Sequence, residues 1–508
     1  MRLTGFQSGL DINQMVSDLM KAQRMPMNKL TQQKQLLDWK RDDYRETNRL
    51  LNDFRNLSFD MTLQRTYSQK LVTTSNDNVT ATASSTAANV TYTISDVKVA
   101  TPASMHAKDI LKDTDEKFDP SKSIMDQRDK FATPPAVLGA GEEHEFTITT
   151  FDADGNSIKD TFKINETTSM NDLMNEISSS NIGVTAFFDE VNGQLMLTRK
   201  NAGDLVGTEG KAFIFEEGDF LTDTLNLGGT PEEIIGTDAQ LKINGVNTTR
   251  KSNTFTVNGV TFTLHGDMNG ESATVGVRND SDKTFNAIKD YITKYNELIE
   301  KINGKTGEPV YRDYKPLSDE EKEALSEKQI EQWEEKARSG LLRNDSILNS
   351  GLGKMRSGMY ESVSGLNGQF DQLAQLGITT SANYRDKGKL LIDEDKLREA
   401  IANDPNSVMQ MFTSNGENGT GLGIARKLRE AAGSTISGIE ARAGNATRTA
   451  QQFTIGRELL NVDQRISAFE RRMQTVEDRY WRQFTAMEKA IGQSNQQSMQ
   501  LMSQFTNG

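Results

Sequence analysis

Apolar residues recur in steps of three and four near both ends of the chain and in steps of two through its middle, so the pattern predicts helices flanking β-structure. Ile12, Met15, Val16, Leu19 and Met20 fall at i, i+3, i+4, i+7 and i+8, one face of a helix. Asp11, with Gln14 three residues on, supplies a capping box to open it. Pro26 is expected to stop that helix and to stand in the first turn of a second, which runs to about Gln64 as a rod about 60 Å long. On the rod Leu30, Leu37, Tyr44 and Leu51 return every seven residues, and Phe54, Leu57 and Met61 continue the stripe. The other end repeats the device: Val462, Ile466, Phe469, Met473, Val476, Tyr480, Phe484, Met487 and Ile491 step by fours and threes over about four heptads. Stripes at both extremities are most simply buried against each other, as long antiparallel coiled-coil helices, and the same seam residues are the candidates for assembly with other chains.

In the middle, Val90, Tyr92 and Ile94 alternate with Thr and Ser, while Phe255, Val257, Val260, Phe262 and Leu264 flank Asn258-Gly259, the pair favoured in a two-residue hairpin. Residues 71–280 therefore read as β-rich. Pro134-Pro135 and the stretch Gly228-Gly229 to Gly236 read as linkers around an inserted unit, which carries a hairpin at Asp154-Gly155, a helix near Met170 to Ile177 and a turn at Asn192-Gly193. After Asp280 the helical period returns with Phe285, Ile288, Ile292, Tyr295 and Ile299. Capping boxes follow at Ser318 with Glu321 and Ser326 with Gln329, then a short hairpin between Leu376 and Ile392, a helix over Asp395 to Ala402 and a glycine-rich loop from Asn415 to Gly423. The predicted fold class is multidomain α+β. It divides into a terminal coiled-coil domain (1–45 and 456–508), a helix-rich domain with a short β-hairpin (46–70 and 281–455), a β-rich domain (71–135 and 236–280) and an inserted, outermost β-rich domain (136–235).

Composition narrows what such an architecture does. The 508 residues suit three or four domains. Their 59 basic and 72 acidic side chains leave a net charge of −13, which argues against a nucleic-acid partner, since phosphate binding needs clustered cations. The two helical ends together carry +3, so the acidity lies in the middle, as on a solvated surface. With Cys 0 and His 3, thiol chemistry and cysteine-based zinc sites are excluded. Mean hydropathy is −0.63, and no apolar run approaches the roughly 18 residues of a membrane helix, so no membrane insertion is expected. The opening Met1 to Ser8 has no apolar core of a signal peptide, which leaves the cytosol or an export route without a cleaved signal.

The motifs of chemistry are incomplete. Gly304-Lys305-Thr306 ends like a phosphate-binding loop, but Ile299 stands where its first glycine belongs, and a helix C-terminus explains it better. Asp152, Asp154 and Asn156 imitate calcium ligands, yet Ser157 and Lys163 occupy the positions that require Gly and a bidentate Glu, so a hairpin turn is the simpler reading. His144 among Glu142, Glu143 and Glu145 has no second His at zinc-pair spacing, and no G-x-S-x-G is present. No catalytic, metal-ligating or cofactor-binding residue is predicted.

Two blocks carry a family resemblance. Ser8-Gly9-Leu10-Asp11 with Val16, Leu19-Met20, Pro26 and Leu30 resembles the opening of the flagellar filament-capping proteins, the hook-associated protein 2 or FliD family. Gly340-Leu341-Leu342-Arg343-Asn344-Asp345, Leu376-Gly377-Ile378-Thr379-Thr380, Lys389-Leu390 and Asp393-Glu394-Asp395-Lys396-Leu397 resemble its C-terminal region. The resemblance covers roughly Met1 to Ala100 and Gly236 to Gly508; residues between Asp109 and Gly236 match no motif of it. It implies a secreted structural protein at the filament tip, a ring of this chain, a homopentamer in the family, with flagellin, hook–filament junction proteins and an export chaperone as partners. It also implies helical ends that dock on the filament and β domains that form a plate over arriving flagellin. The alternatives are another axial flagellar subunit, a cytosolic coiled-coil scaffold, or an enzyme acting through a carboxylate pair in the inserted domain; adhesion by that domain is compatible with the capping role.

Overall fold

The computed structural model describes residues 11–112, 117–138, 141–216, 218–228, 231–366, 368–417 and 420–506. The motif Ser8-Gly9-Leu10 and Gly229 lie outside them. Ten α-helices occur among the described residues: α1 (Ile12–Asp60), α2 (Met170–Ser179), α3 (Ser281–Gly307), α4 (Asp319–Glu323), α5 (Glu327–Arg338), α6 (Ser346–Tyr360), α7 (Glu394–Asn403), α8 (Pro405–Thr413), α9 (Ile424–Ala443) and α10 (Thr454–Thr506). The chain forms two compact units, Ser68–Asp280 and the remainder.

Ser68–Asp280 holds two hydrophobic cores. The first lies between a five-stranded and a three-stranded antiparallel sheet. Its strands are β1 (Lys70–Thr74), β2 (Val79–Ala83) and β3 (Val90–Lys98), and, after a long excursion, β11 (Ala239–Ile243), β12 (Val246–Arg250), β13 (Thr254–Val257), β14 (Val260–Leu264) and β15 (Ser272–Asn279). The sheet orders are β1-β15-β3-β11-β12 and β13-β14-β2. Alternation buries Tyr92 and Ile94 of β3 against Phe262 of β14, with the Tyr92 and Phe262 rings edge to face at 5.3 Å. Asn258 and Gly259 both take positive φ, +48° and +80°, which lets a two-residue turn pair Val257 with Val260.

The excursion is the second core. It comprises β4 (Pro102–Ala107), β5 (His144–Phe151), β6 (Ser157–Ile164), β7 (Val184–Asp189), β8 (Gln194–Ala202), β9 (Ile214–Glu216), β10 (Glu232–Ile234) and α2. The sheets run β10-β4-β8-β7 and β6-β5-β9 around Phe131, Phe146, Phe162, Phe213 and Phe220. Two expectations are corrected here. The insertion starts at Pro102 rather than at residue 136, because β4 pairs with β8 and β10 and Ile110, Phe118, Ile124 and Phe131 pack in this core. Pro134-Pro135 is an internal loop, with Arg128 donating through Nε and Nη2 to the Pro135 carbonyl, and the presumed linker before Gly236 contains β10.

The remaining unit is helical. α1 packs along α9 and α10, and α6 along α9, around a core that includes Tyr44, Leu51, Phe54, Tyr291, Tyr295, Leu428 and Ile439. Phe54 and Tyr291 stack at 5.4 Å, and Ser58 Oγ meets the Tyr291 hydroxyl at 3.0 Å, which keeps a buried phenol hydrogen-bonded. Two small hairpins interrupt the helices, β16 (Ile378–Thr380) with β17 (Leu390–Ile392) and β18 (Asn415–Glu417) with β19 (Thr420–Leu422). The second stands where a glycine-rich loop was expected. Both capping boxes form, at Ser318 and at Ser326, whereas at Asp11 only half does: Asp11 accepts from the Gln14 amide, and the Gln14 side chain turns to Asp18. Gly304-Lys305-Thr306 closes α3.

Pro26 does not break α1, which runs through it for 49 residues. Proline there removes one amide and releases the Ala22 carbonyl, but residues 21–26 are all exposed, so water can take that oxygen. Helix on both sides, held by α10 and by the core, outweighs a penalty of about 3 kcal/mol.

Candidate functional site: the paired terminal helices

α1 and α10 lie antiparallel. Lys34 Nζ meets Asp463 Oδ1 at 2.7 Å, Arg45 sits over the Phe453 ring, and beyond them Ile12, Val16 and Met20 form a separate cluster with Met473, to which Phe469, Val476, Tyr480, Trp481 and Phe484 add. Trp481, absent from the predicted seam, joins it one residue after Tyr480. Val462 is buried, and Ile466, Met487 and Ile491 are half-buried. On α1, Tyr44 and Leu51 are buried in the main helical core, Leu37 packs at its edge and Leu30 is half-buried.

Met15 and Leu19 are a correction to the predicted seam: they are 37% and 40% exposed. The row that faces α10 is Ile12, Val16 and Met20; Met15 and Leu19 each stand one residue back, about 100° round the helix. They flank the inner row, Met25 is 65% exposed on another side of α1, and Met499, Leu501 and Met502 are exposed further along α10. The arrangement is a helix pair with an inner seam and apolar side chains turned outward, which suits packing against another chain.

The pair is anchored where α1 enters the core. Tyr44 donates its hydroxyl to Asp345 Oδ2, and burial, with that carboxylate beside it, pushes the phenol above its ordinary range. Next to it Asp43, 1% exposed, takes Arg338 at 2.7 Å and Lys305 at 3.4 Å. Asp43 was missed in the sequence because nothing local separates it from the solvated Asp42 beside it. The quoted C-terminal motifs resolve into structural devices: Asp345 caps α6 through the Ile347 and Leu348 amides, and Asp393 caps α7 through that of Lys396.

The candidates for chemistry scatter. His144 Nε2 lies 3.1 Å from the Ala136 carbonyl, His265 bonds Thr80, and His106 is in β4. The Asp152 carboxylate accepts from the amides of Asp154 and Asn156 and from the Asn156 side chain, so it closes a turn. Among the described residues no group of three His, Cys, Asp or Glu side chains could hold a metal, and no helix is long and apolar enough to cross a membrane.

The model of the flagellar hook-associated protein 2 C-terminus matches residues 236–496, half of the chain, and that of the N-terminus matches 8–103. The chain belongs to the flagellar hook-associated protein 2 family. It is 35% identical over 540 aligned residues to the flagellar hook-associated protein 2 of Halalkalibacterium halodurans, covering 99% of this chain and 100% of that one. To the Salmonella typhimurium protein of the same name it is 28% identical over 67% of each chain. The crystal structure of the flagellar cap protein FliD D1-D2-D3 domains from Escherichia coli covers 80% of this chain and 97% of its own, with a TM-score of 0.54 at 22% identity, and so shares the fold. The stretch between the two family models, 104–235, coincides with the second β core, and the matched parts take in all of α1 and α10 as far as residue 496.

Proposed function

We propose that this hook-associated protein 2 homologue is the structural cap at the distal tip of a bacterial flagellar filament, outside the cell, where it promotes flagellin polymerisation and holds back exported monomers. The observation that carries this reading, beside family membership, is that Met15, Leu19 and Met25 stay exposed on a helix already paired through Ile12, Val16 and Met20. The ends, 1–45 and 456–508, are the docking domain, and their seam residues serve both the fold and assembly. The ring is a homopentamer; flagellin lies under it, junction proteins precede it on the filament, and a chaperone holds the ends before export. The chain leaves the cell intact and catalyses no reaction.

Deleting the gene in its host tests the role: filaments are expected to vanish and flagellin monomer to accumulate in the medium. Complementation with Met15→Asp/Leu19→Asp is expected to leave the chain folded, with flagellin still leaking. Normal filaments in the deletion strain would remove the capping role, and full rescue by the double variant would remove Met15 and Leu19 from assembly. Electron microscopy of the isolated assembly counts the subunits, and the mass of the exported chain checks that it is uncut.

A further inference from the structure

Between the two β cores of Ser68–Asp280 lies a cleft of about 530 Å³, walled by the β5–β6 turn, the ends of β7 and β8 and the loop before β13. Arg199 lines it, only 3% exposed. Its Nη2 donates to the Phe151 carbonyl at 2.7 Å, while Nε and Nη1 are buried without a hydrogen-bond partner. A guanidinium so placed has lost most of its water and received one neutral acceptor, a costly arrangement unless something else completes it.

The surroundings point to what that is. Two further cations on the wall, Lys200 and Lys251, donate to the carbonyls of Ser178 and Ala153. The one carboxylate of the lining, Asp152, is turned into its own loop by three donors. Three cations against one acid leave the wall at +2 in a chain of net charge −13. The wall is also preformed: an added Cβ at Gly203 would stand 2.1 Å from the Lys251 carbonyl, so only glycine lets the end of β8 meet the first core here.

We propose that this cleft is a binding site for a small organic carboxylate, whose oxygens take the unpartnered guanidinium donors of Arg199 and whose remaining charge is met by Lys251 at the rim. The cleft has the size of a small-molecule site, and an arginine fork favours a carboxylate through paired N–H···O bonds.

The test is a calorimetric titration of the full chain with succinate at constant ionic strength, repeated with chloride. Saturable heat is expected with succinate, at least tenfold weaker affinity in Arg199→Met, and several-fold weaker affinity in Lys251→Gln, which changes an exposed side chain and keeps the fold. Arg199→Met is expected to melt no lower than the parent without ligand, since it removes a buried, half-paired charge. No saturable heat, equal heat from chloride (an adventitious ion only), or undiminished succinate affinity in either variant would overturn the site.

Discussion

Asp43 shows how one buried charge fixes an element. Its carboxylate is enclosed while Arg338 and Lys305 keep their stems partly wet, so the pair holds α1 to α5 and to the end of α3. Asp43→Ala is expected to destabilise the helical unit by about 2 kcal/mol, below the usual cost of breaking a buried pair because the stranded cations still reach water; denaturant melts of parent and variant measure it. A second residue sets an acid limit. Asp404 caps α8, and the Ser407 hydroxyl, then the Ser407 amide, hold its carboxyl below the ordinary value of 3.8. A carboxyl depressed in the fold contributes its stability in full above the unfolded value and loses it as pH falls through the folded one. The gap in melting temperature between the parent and Asp404→Asn is therefore expected to be open at neutral pH and to close below about pH 4. A gap that stays constant down to pH 2 would show that the cap does not depend on charge.

At the scale of elements, what sequence pattern disclosed was periodicity and what it hid was tertiary company. The α10 stripe was legible because its apolar residues have no other reason to recur by threes and fours. The Asn258-Gly259 hairpin was legible because both residues tolerate positive φ. Pro26 misled because the local rule weighs one lost hydrogen bond, whereas the helix is set by contacts on both sides of it. Met15 and Leu19 misled because five apolar residues fill a wider arc than one partner helix covers. Asp43 left no local signal, since its burial comes from helices far away in sequence, whereas Arg199 continues the inward row of Leu195 and Leu197 on β8 and was overlooked for its charge. The separate cluster at the ends carries its own expectation. Val16→Asp puts a charge against Met473 and Phe469, and it should speed hydrogen exchange in 12–24 and 469–484 while the core around Phe54 and Tyr291 keeps its protection. Unchanged exchange at the ends would mean that the cluster does not hold them.

The whole chain is built by interruption, and the seam of the larger interruption is explicit. Thr101 and Thr237 exchange backbone hydrogen bonds, N to O at 2.9 and 3.2 Å, and their hydroxyls meet at 2.9 Å. The strands on either side, β3 and β11, are themselves paired in one sheet, so the pairing of that sheet runs unbroken across the insertion point. Residues 102–236 leave and return through a single tied crossing, which is the geometry that tolerates both insertion and removal. Both family models stop within three residues of it. Replacing 102–236 by Asn-Gly should therefore give a soluble chain in which the β3–β11 pairing and the helical unit persist, because a two-residue hairpin joins antiparallel neighbours without strain. Ala202, which packs against the first core, goes with the excised segment, so that core should melt somewhat lower. Nuclear magnetic resonance of the excised chain settles the point: retained shifts for Tyr92, Ile94 and Phe262 are expected, together with loss of succinate binding, since Arg199 is gone. Collapse of those shifts would mean that the two β cores fold as one, and that the insertion supports the sheet it interrupts.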